Sequence, residues 1–154
     1  MENKYVCSVD IGGTKIATAI MKYPADGSVP RPVFEAEVPT EAQEGGEAVF
    51  QRIEASIKAA LEANPDVEVL GVGIGAAGVV DPKTGAIAYA NEIMPGWSGV
   101  QLGPRLREDL GLPVAVVGDV QAHALGEAHW GVGKGKFSVL CLGIGTGIGG
   151  AYVE

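Results

Sequence analysis

The chain has 154 residues, 47% hydrophobic and 19% charged, with a net charge of −8. That length supports one domain with a real core, and the composition excludes a disordered chain. The acidic balance argues against nucleic acid as a partner, which needs a basic face, and no apolar run is long and charge-free enough to span a bilayer.

Met1-Glu2-Asn3-Lys4 does not read as a signal peptide, so the cytoplasm is the expected compartment. Tyr5 to Val9 then predicts a strand and Ile16 to Met21 its hairpin partner. Residues 23–32 carry turn chemistry, and Val33 to Val38 alternates apolar with acidic residues as an edge-like strand. A helical region begins at Pro39-Thr40-Glu41. Val49, Ile53, Ile57 and Leu61 recur every fourth residue on one apolar face, and Asn64-Pro65 stops that helix. Residues 67–78 form a β-branched run ending in glycines, as in a buried strand of a covered sheet. A turn at 81–85, a short strand from Ile87 to Ala90 and a loop at 91–99 anchored by Met94 and Trp97 follow.

Leu102, Leu106 and Leu110 predict a short helix closed by Gly111. Val114 to Val117 reads as a buried strand, and Asp119 starts a helix reaching His129. Residues 131–136 are a loop, Ser138 to Leu142 a strand, 143–150 a turn, and Ala151 to Val153 the beginning of one more strand. A leading meander followed by crossover helices implies an α/β fold with a mixed sheet and flanking helices. Cys7 and Cys141 fall in predicted strands and read as buried, reduced thiols without metal-ligand spacing.

The 24 glycines far exceed the background of about 7% and cluster at the ends of apolar runs, where backbone can approach a ligand. Gly73-x-Gly75-x-x-Gly78 and Gly145-x-Gly147-x-x-Gly150 match a dinucleotide fingerprint only weakly, because a turn follows the first and a strand the second instead of a helix. Neither Gly133-Lys134 nor Gly135-Lys136 completes a Walker A loop, so both lysines read as a solvated loop, with contact to a phosphate tail as the alternative. Two glycine-threonine hairpin turns remain, Gly12-Gly13-Thr14 and Gly145-Thr146-Gly147. Each joins two strands, and together their N–H groups and hydroxyls can hold one anion from two sides, with Asp10 at a strand end beside them. Asp119, at a strand's carboxyl end and a helix start, suits two roles: helix N-cap and general base. His123 and His129 read as structural.

The stretches 10–17, 71–85, 91–97, 110–135 and 142–150 together resemble the amino-terminal part of the ROK family (repressors, open reading frames and sugar kinases). They cover nearly the whole chain in family order. The resemblance implies an actin-like ATPase (ribonuclease-H-like) domain and an ATP-dependent kinase phosphorylating a hexose such as glucose, or an N-acyl-hexosamine. It makes Gly12, Gly13, Thr14 and Lys15 the first phosphate hairpin, Gly145, Thr146 and Gly147 the second, and puts Asp10 near Mg²⁺ through water. Gly78, Asn91, Gly118 and Asp119 match sugar-contacting positions, and Asp119 the catalytic base.

Two departures from the family pattern matter. Gly118 stands where the family usually has asparagine, and Gln121 where a second asparagine is common. Family members are also about twice as long. Residues 1–154 therefore read as the amino-terminal domain, one half of the cleft. A carboxy-terminal domain absent here would carry further sugar contacts, a zinc motif and most of the adenine pocket. The chain alone is expected to be inactive. The whole protein is expected to be a cytoplasmic homo-oligomer whose partners are the sugar and ATP, with no nucleic acid and no membrane. A non-catalytic, sugar-sensing ROK regulator is the alternative that Gly118 keeps open.

Overall fold

Alternation sets the two faces of the first strand. Cys7, Val9 and Ile11 are buried, whereas Ser8 and Asp10 point to the other side. A computed structural model describes residues 2–145 and 147–154. Strand β1 (Lys4–Ile11) pairs antiparallel with β2 (Lys15–Tyr23), which pairs antiparallel with β3 (Arg31–Pro39). A 3-10 turn at Ala42–Glu44 leads into α1 (Gly46–Glu62), then β4 (Val69–Ala76), β5 (Val79–Val80), β6 (Ile87–Tyr89), α2 (Leu102–Leu110), β7 (Val114–Gly118), α3 (Asp119–His129), β8 (Val139–Ile144) and β9 (Ile148–Val153).

The main sheet has five strands in the order β3-β2-β1-β4-β7, with β1, β4 and β7 parallel. The expected mixed sheet is therefore present, built from the meander plus two crossovers. Helix α1 covers the face that carries Val9 and Ile11, burying Val49, Phe50, Ile53, Ile57 and Ala60. Leu61 of the predicted stripe sits at its margin, only partly buried. Helix α2 adds Leu102 and Leu106 to the same core, and Gly111 ends it in the left-handed conformation at φ 64°. Full burial of side chains such as Ile53 and Ile57 contributes roughly 1.5–3 kcal/mol each. Helix α3 packs on β4 and β7 from the other face and also contacts β8 and β9. Among the described residues, no helix is long and apolar enough to cross a membrane.

The structure differs from the sequence reading in several places: Pro39 ends β3 and the helix expected from Pro39-Thr40-Glu41 starts only at Gly46, and Cys141 is half-buried where burial is expected. Strands β1 to β3 run one or two residues further at each end. Val79-Val80 is a short strand pairing with β6 where a turn is expected. Strands β8 and β9 form a hairpin of their own, separate from the main sheet. Gly118, with φ −62° and ψ 148°, is the N-cap of α3, so Asp119 is its first helical residue and not the cap.

Candidate active site

The three parallel strands end together, and their register brings two acids to one place. Asp10 pairs with Gly75, and Gly75 with Val117; one row on, Ile11 pairs with Ala76, and Ala76 with Gly118. Asp119 follows at once. A methyl group placed on Gly75 would lie 3.1 Å from Cβ of Ala122, 3.5 Å from Cα of Asp119 and 4.0 Å from Oδ1 of Asp10. The missing side chain of Gly75 thus keeps open the space between the two acids. Oδ1 of Asp119 accepts the Val120 N–H at 2.8 Å, using one of the amides that a helix start leaves without an intrahelical partner. Asp10 is exposed, and among the described residues its carboxylate has no hydrogen-bond or ion-pair partner. No three His, Cys, Asp or Glu side chains converge on a metal-sized site among the described residues.

The Gly12-Gly13-Thr14 turn caps the β1–β2 hairpin beside Asp10. The Gly12 N–H donates to the Lys15 carbonyl at 2.9 Å. Thr40, wholly buried beyond β3, grips the turn from behind: its Oγ1 donates to the Gly12 carbonyl at 2.7 Å and its N–H to the Thr14 carbonyl at 2.9 Å. Lys15 is exposed and pairs with Glu37 at 2.7 Å; that hydrogen bond and charge hold the ammonium pKa above its usual value. In the second turn the Gly145 N–H donates to the Gly147 carbonyl at 2.9 Å. Thr146 lies outside the described residues. Methyl groups on Gly143 and Gly149 would meet Val120 Cγ2 at 2.9 and 3.0 Å. The β8–β9 hairpin is therefore seated on the first turn of α3, next to Asp119.

A third group of residues lies near Gly118, the residue before Asp119. Gly78 has φ 96°, and a methyl there would come 2.7 Å from the Tyr89 carbonyl, so only glycine fits. Gly118 faces it, with the Gly78 carbonyl 4.0 Å from where a Gly118 methyl would be. Asn91 is exposed at the head of its loop, its Oδ1 accepting the Ile93 N–H at 3.1 Å and its carbonyl the Met94 N–H at 3.1 Å. Met94 and Trp97 are the buried anchors expected of this loop. Ile93 also reaches back, its Cγ2 3.3 Å from a methyl placed on Gly13. Gln121, His123, Lys134 and Lys136 are exposed, and Nδ1 of His129 lies 2.9 Å from the Leu125 carbonyl. Sequence reasoning misses Thr40 and the specific part of Gly75: the first has no motif, and the second acts through an absence.

The mixed sheet with flanking helices is that of an actin-like ATPase domain. The chain belongs to the ROK family, whose profile matches residues 6–154. It is 35% identical to a ROK family glucokinase from Streptomyces griseus solved with glucose and AMPPNP, with a TM-score of 0.81 over 97% of this chain and 44% of that one. The ROK hexokinase of Thermus thermophilus is 34% identical, with a TM-score of 0.79 over 97% of this chain and 46% of that one. A glucokinase of Halalkalibacterium halodurans is 34% identical over 155 residues, 99% of this chain and 45% of its own length. The chain spans about half the length of the relatives it matches.

Proposed function

We propose that this chain is the amino-terminal domain of an ATP-dependent sugar kinase acting on a hexose or an N-acyl-hexosamine. The observation that carries the reading is the pair of acids separated by Gly75 at the ends of three parallel strands, flanked by two glycine turns. Asp119 would accept the proton of the attacking sugar hydroxyl, through the carboxylate oxygen that Val120 does not occupy. The first turn, Gly12 to Lys15, and the second, Gly145 to Gly147, would hold the phosphates by main-chain N–H groups. Gly78, Asn91 and Gly118 would line the sugar side.

The carboxylate of Asp10, without a partner among the described residues, fits a Mg²⁺ held through water, since that ion keeps most of its waters and needs few protein oxygens. Bound with the nucleotide, Mg²⁺ would offset charge on the phosphate oxygens. Lys15 would reach the phosphates by leaving Glu37, an exposed pair that costs little to break. Zinc and the adenine pocket belong to the rest of the protein in this reading, and the whole is a cytoplasmic homo-oligomer.

The test is ADP release by the full-length protein with ATP, Mg²⁺ and a panel of hexoses and N-acyl-hexosamines. Turnover on at least one of them is expected. Saturable sugar binding with no turnover on any would favour the sugar-sensing alternative, in which Gly118 marks a lost substrate contact.

A further inference from the structure

Thr40 lies 28 positions from Gly12 in sequence and carries no motif, yet its side chain reaches the first glycine turn from inside the domain. A peptide unit is planar and trans, so its N–H points opposite to its C=O. The carbonyl of Gly12 is drawn to Thr40 Oγ1 at 2.7 Å, which turns the Gly13 N–H of the same peptide away from Thr40. The carbonyl of Thr14 is drawn to the Thr40 N–H at 2.9 Å, which likewise turns the Lys15 N–H away. One residue thus sets the direction of two donors, one on each side of Thr14.

Thr40 is itself held. Its carbonyl accepts from Nη1 of Arg52 on α1 at 3.0 Å, and Arg52 also pairs with Glu41 at 2.9 Å and with Glu44. Glu41 adopts the left-handed conformation at φ 48° and ψ 50°, which non-glycine residues seldom take, so the chain reverses directly after Thr40. The backbone bond from the Thr40 N–H continues the β2–β3 ladder and would be made by any residue but proline. The hydroxyl bond is particular to serine or threonine.

We propose that Thr40 is a positioning residue of the phosphate site: its hydroxyl fixes the Gly12–Gly13 peptide so that the turn presents its N–H groups to the nucleotide. This rests on the phosphate reading of that turn. Without the hydroxyl, the peptide is free to rotate and the site must order it again at each binding event.

The experiment compares Thr40→Val, which keeps the shape, with Thr40→Ser, which keeps the hydroxyl, in the full-length protein. Thr40→Val is expected to lower kcat/KM for ATP about tenfold while the KM for sugar stays within about twofold; Thr40→Ser is expected to stay near wild type. Wild-type ATP kinetics in Thr40→Val, equal losses in both variants, or a loss shared equally by ATP and sugar would overturn the proposal. If the valine variant does not fold, Thr40→Ala carries the same expectation. Amide hydrogen exchange separates this claim from the one it rests on. Absence of both ATP turnover and MgADP binding in the wild type would refute the phosphate reading. In that case, exchange at Gly13 that is faster in Thr40→Val, and restored in Thr40→Ser, with Lys15 unchanged in both, still supports the clamp; unchanged exchange at Gly13 removes it.

Discussion

Trp97 and Ala77 are tied by a hydrogen bond of 3.0 Å from the indole Nε1 to the carbonyl, with the Trp97 ring wholly buried. The bond joins the Asn91 loop to the residue before Gly78, two parts of the proposed sugar wall. Trp97→Phe keeps most of the apolar volume but leaves the Ala77 carbonyl without this partner. The lost bond should cost about 1–3 kcal/mol of stability by denaturant titration. In the full-length enzyme, the KM for sugar should rise more than the KM for ATP. Equal effects on both substrates would disconnect the loop from sugar recognition.

Asp119→Asn separates chemistry from support. Asparagine can still accept the Val120 N–H, now made at 2.8 Å, so the melting temperature should barely move. The proton acceptor is gone, and kcat should fall by about 10²–10⁴. Because Gly118 holds the cap position, Asp119→Ala loses that one hydrogen bond and not an N-cap, costing about 1 kcal/mol. Near-normal turnover by the asparagine variant would remove Asp119 as the base.

Gly75→Ala puts a methyl group between the acids, 3.5 Å from Cα of Asp119 and 3.1 Å from Cβ of Ala122. The crowding against Ala122 should cost roughly 1–3 kcal/mol of stability. If the space between Asp10 and Asp119 is where the reacting groups sit, kcat should drop by more than the stability loss explains. Assays well below the variant's Tm test this, and full activity there would show that the space is not used.

Cys7 is fully buried, and burial pushes its thiol up to about 11 from an ordinary 9.0. The native state therefore keeps the proton longer than the unfolded state does. Stability from this group is intact below pH 9 and is lost as pH rises from 9 towards 11, about 3 kcal/mol in all. Urea titrations across that range should show the slope in wild type and lose it in Cys7→Ala. The same burial should keep Cys7 unreactive to thiol reagents at pH 8 until the protein unfolds.

Much of the architecture is readable along the chain because periodicity reports burial directly. The four-residue spacing from Val49 to Ile57 gives α1, and the β-branched run around Val72 and Ile74 gives the covered strand. Helix α3 is legible from end to end because a buried strand runs straight into an acid. What is not legible depends on contacts between distant backbone atoms. The Thr40 hydroxyl meets a carbonyl 28 residues away, and Gly46 packs so close to the Gly96 carbonyl that a side chain there would collide with it. Such contacts leave no spacing in the sequence. Lys15 shows the same limit, since its pairing with Glu37 depends on the β2–β3 register. Gly75 is visible as part of a glycine pattern, but its role as the gap between Asp10 and Asp119 appears only when the three strands are laid side by side.

The Gly12–Thr14 turn faces its surroundings with main-chain groups and is held from behind by one residue, through its hydroxyl and its N–H. A residue-by-residue alanine scan would then invert the apparent order of importance. Replacing the residues at the front leaves their N–H groups in place, so their scores would understate what they do. The largest signal would come from Thr40, which touches no ligand. Inherited variation would be filtered in the same way, with the concealed position behind the turn confined to serine or threonine.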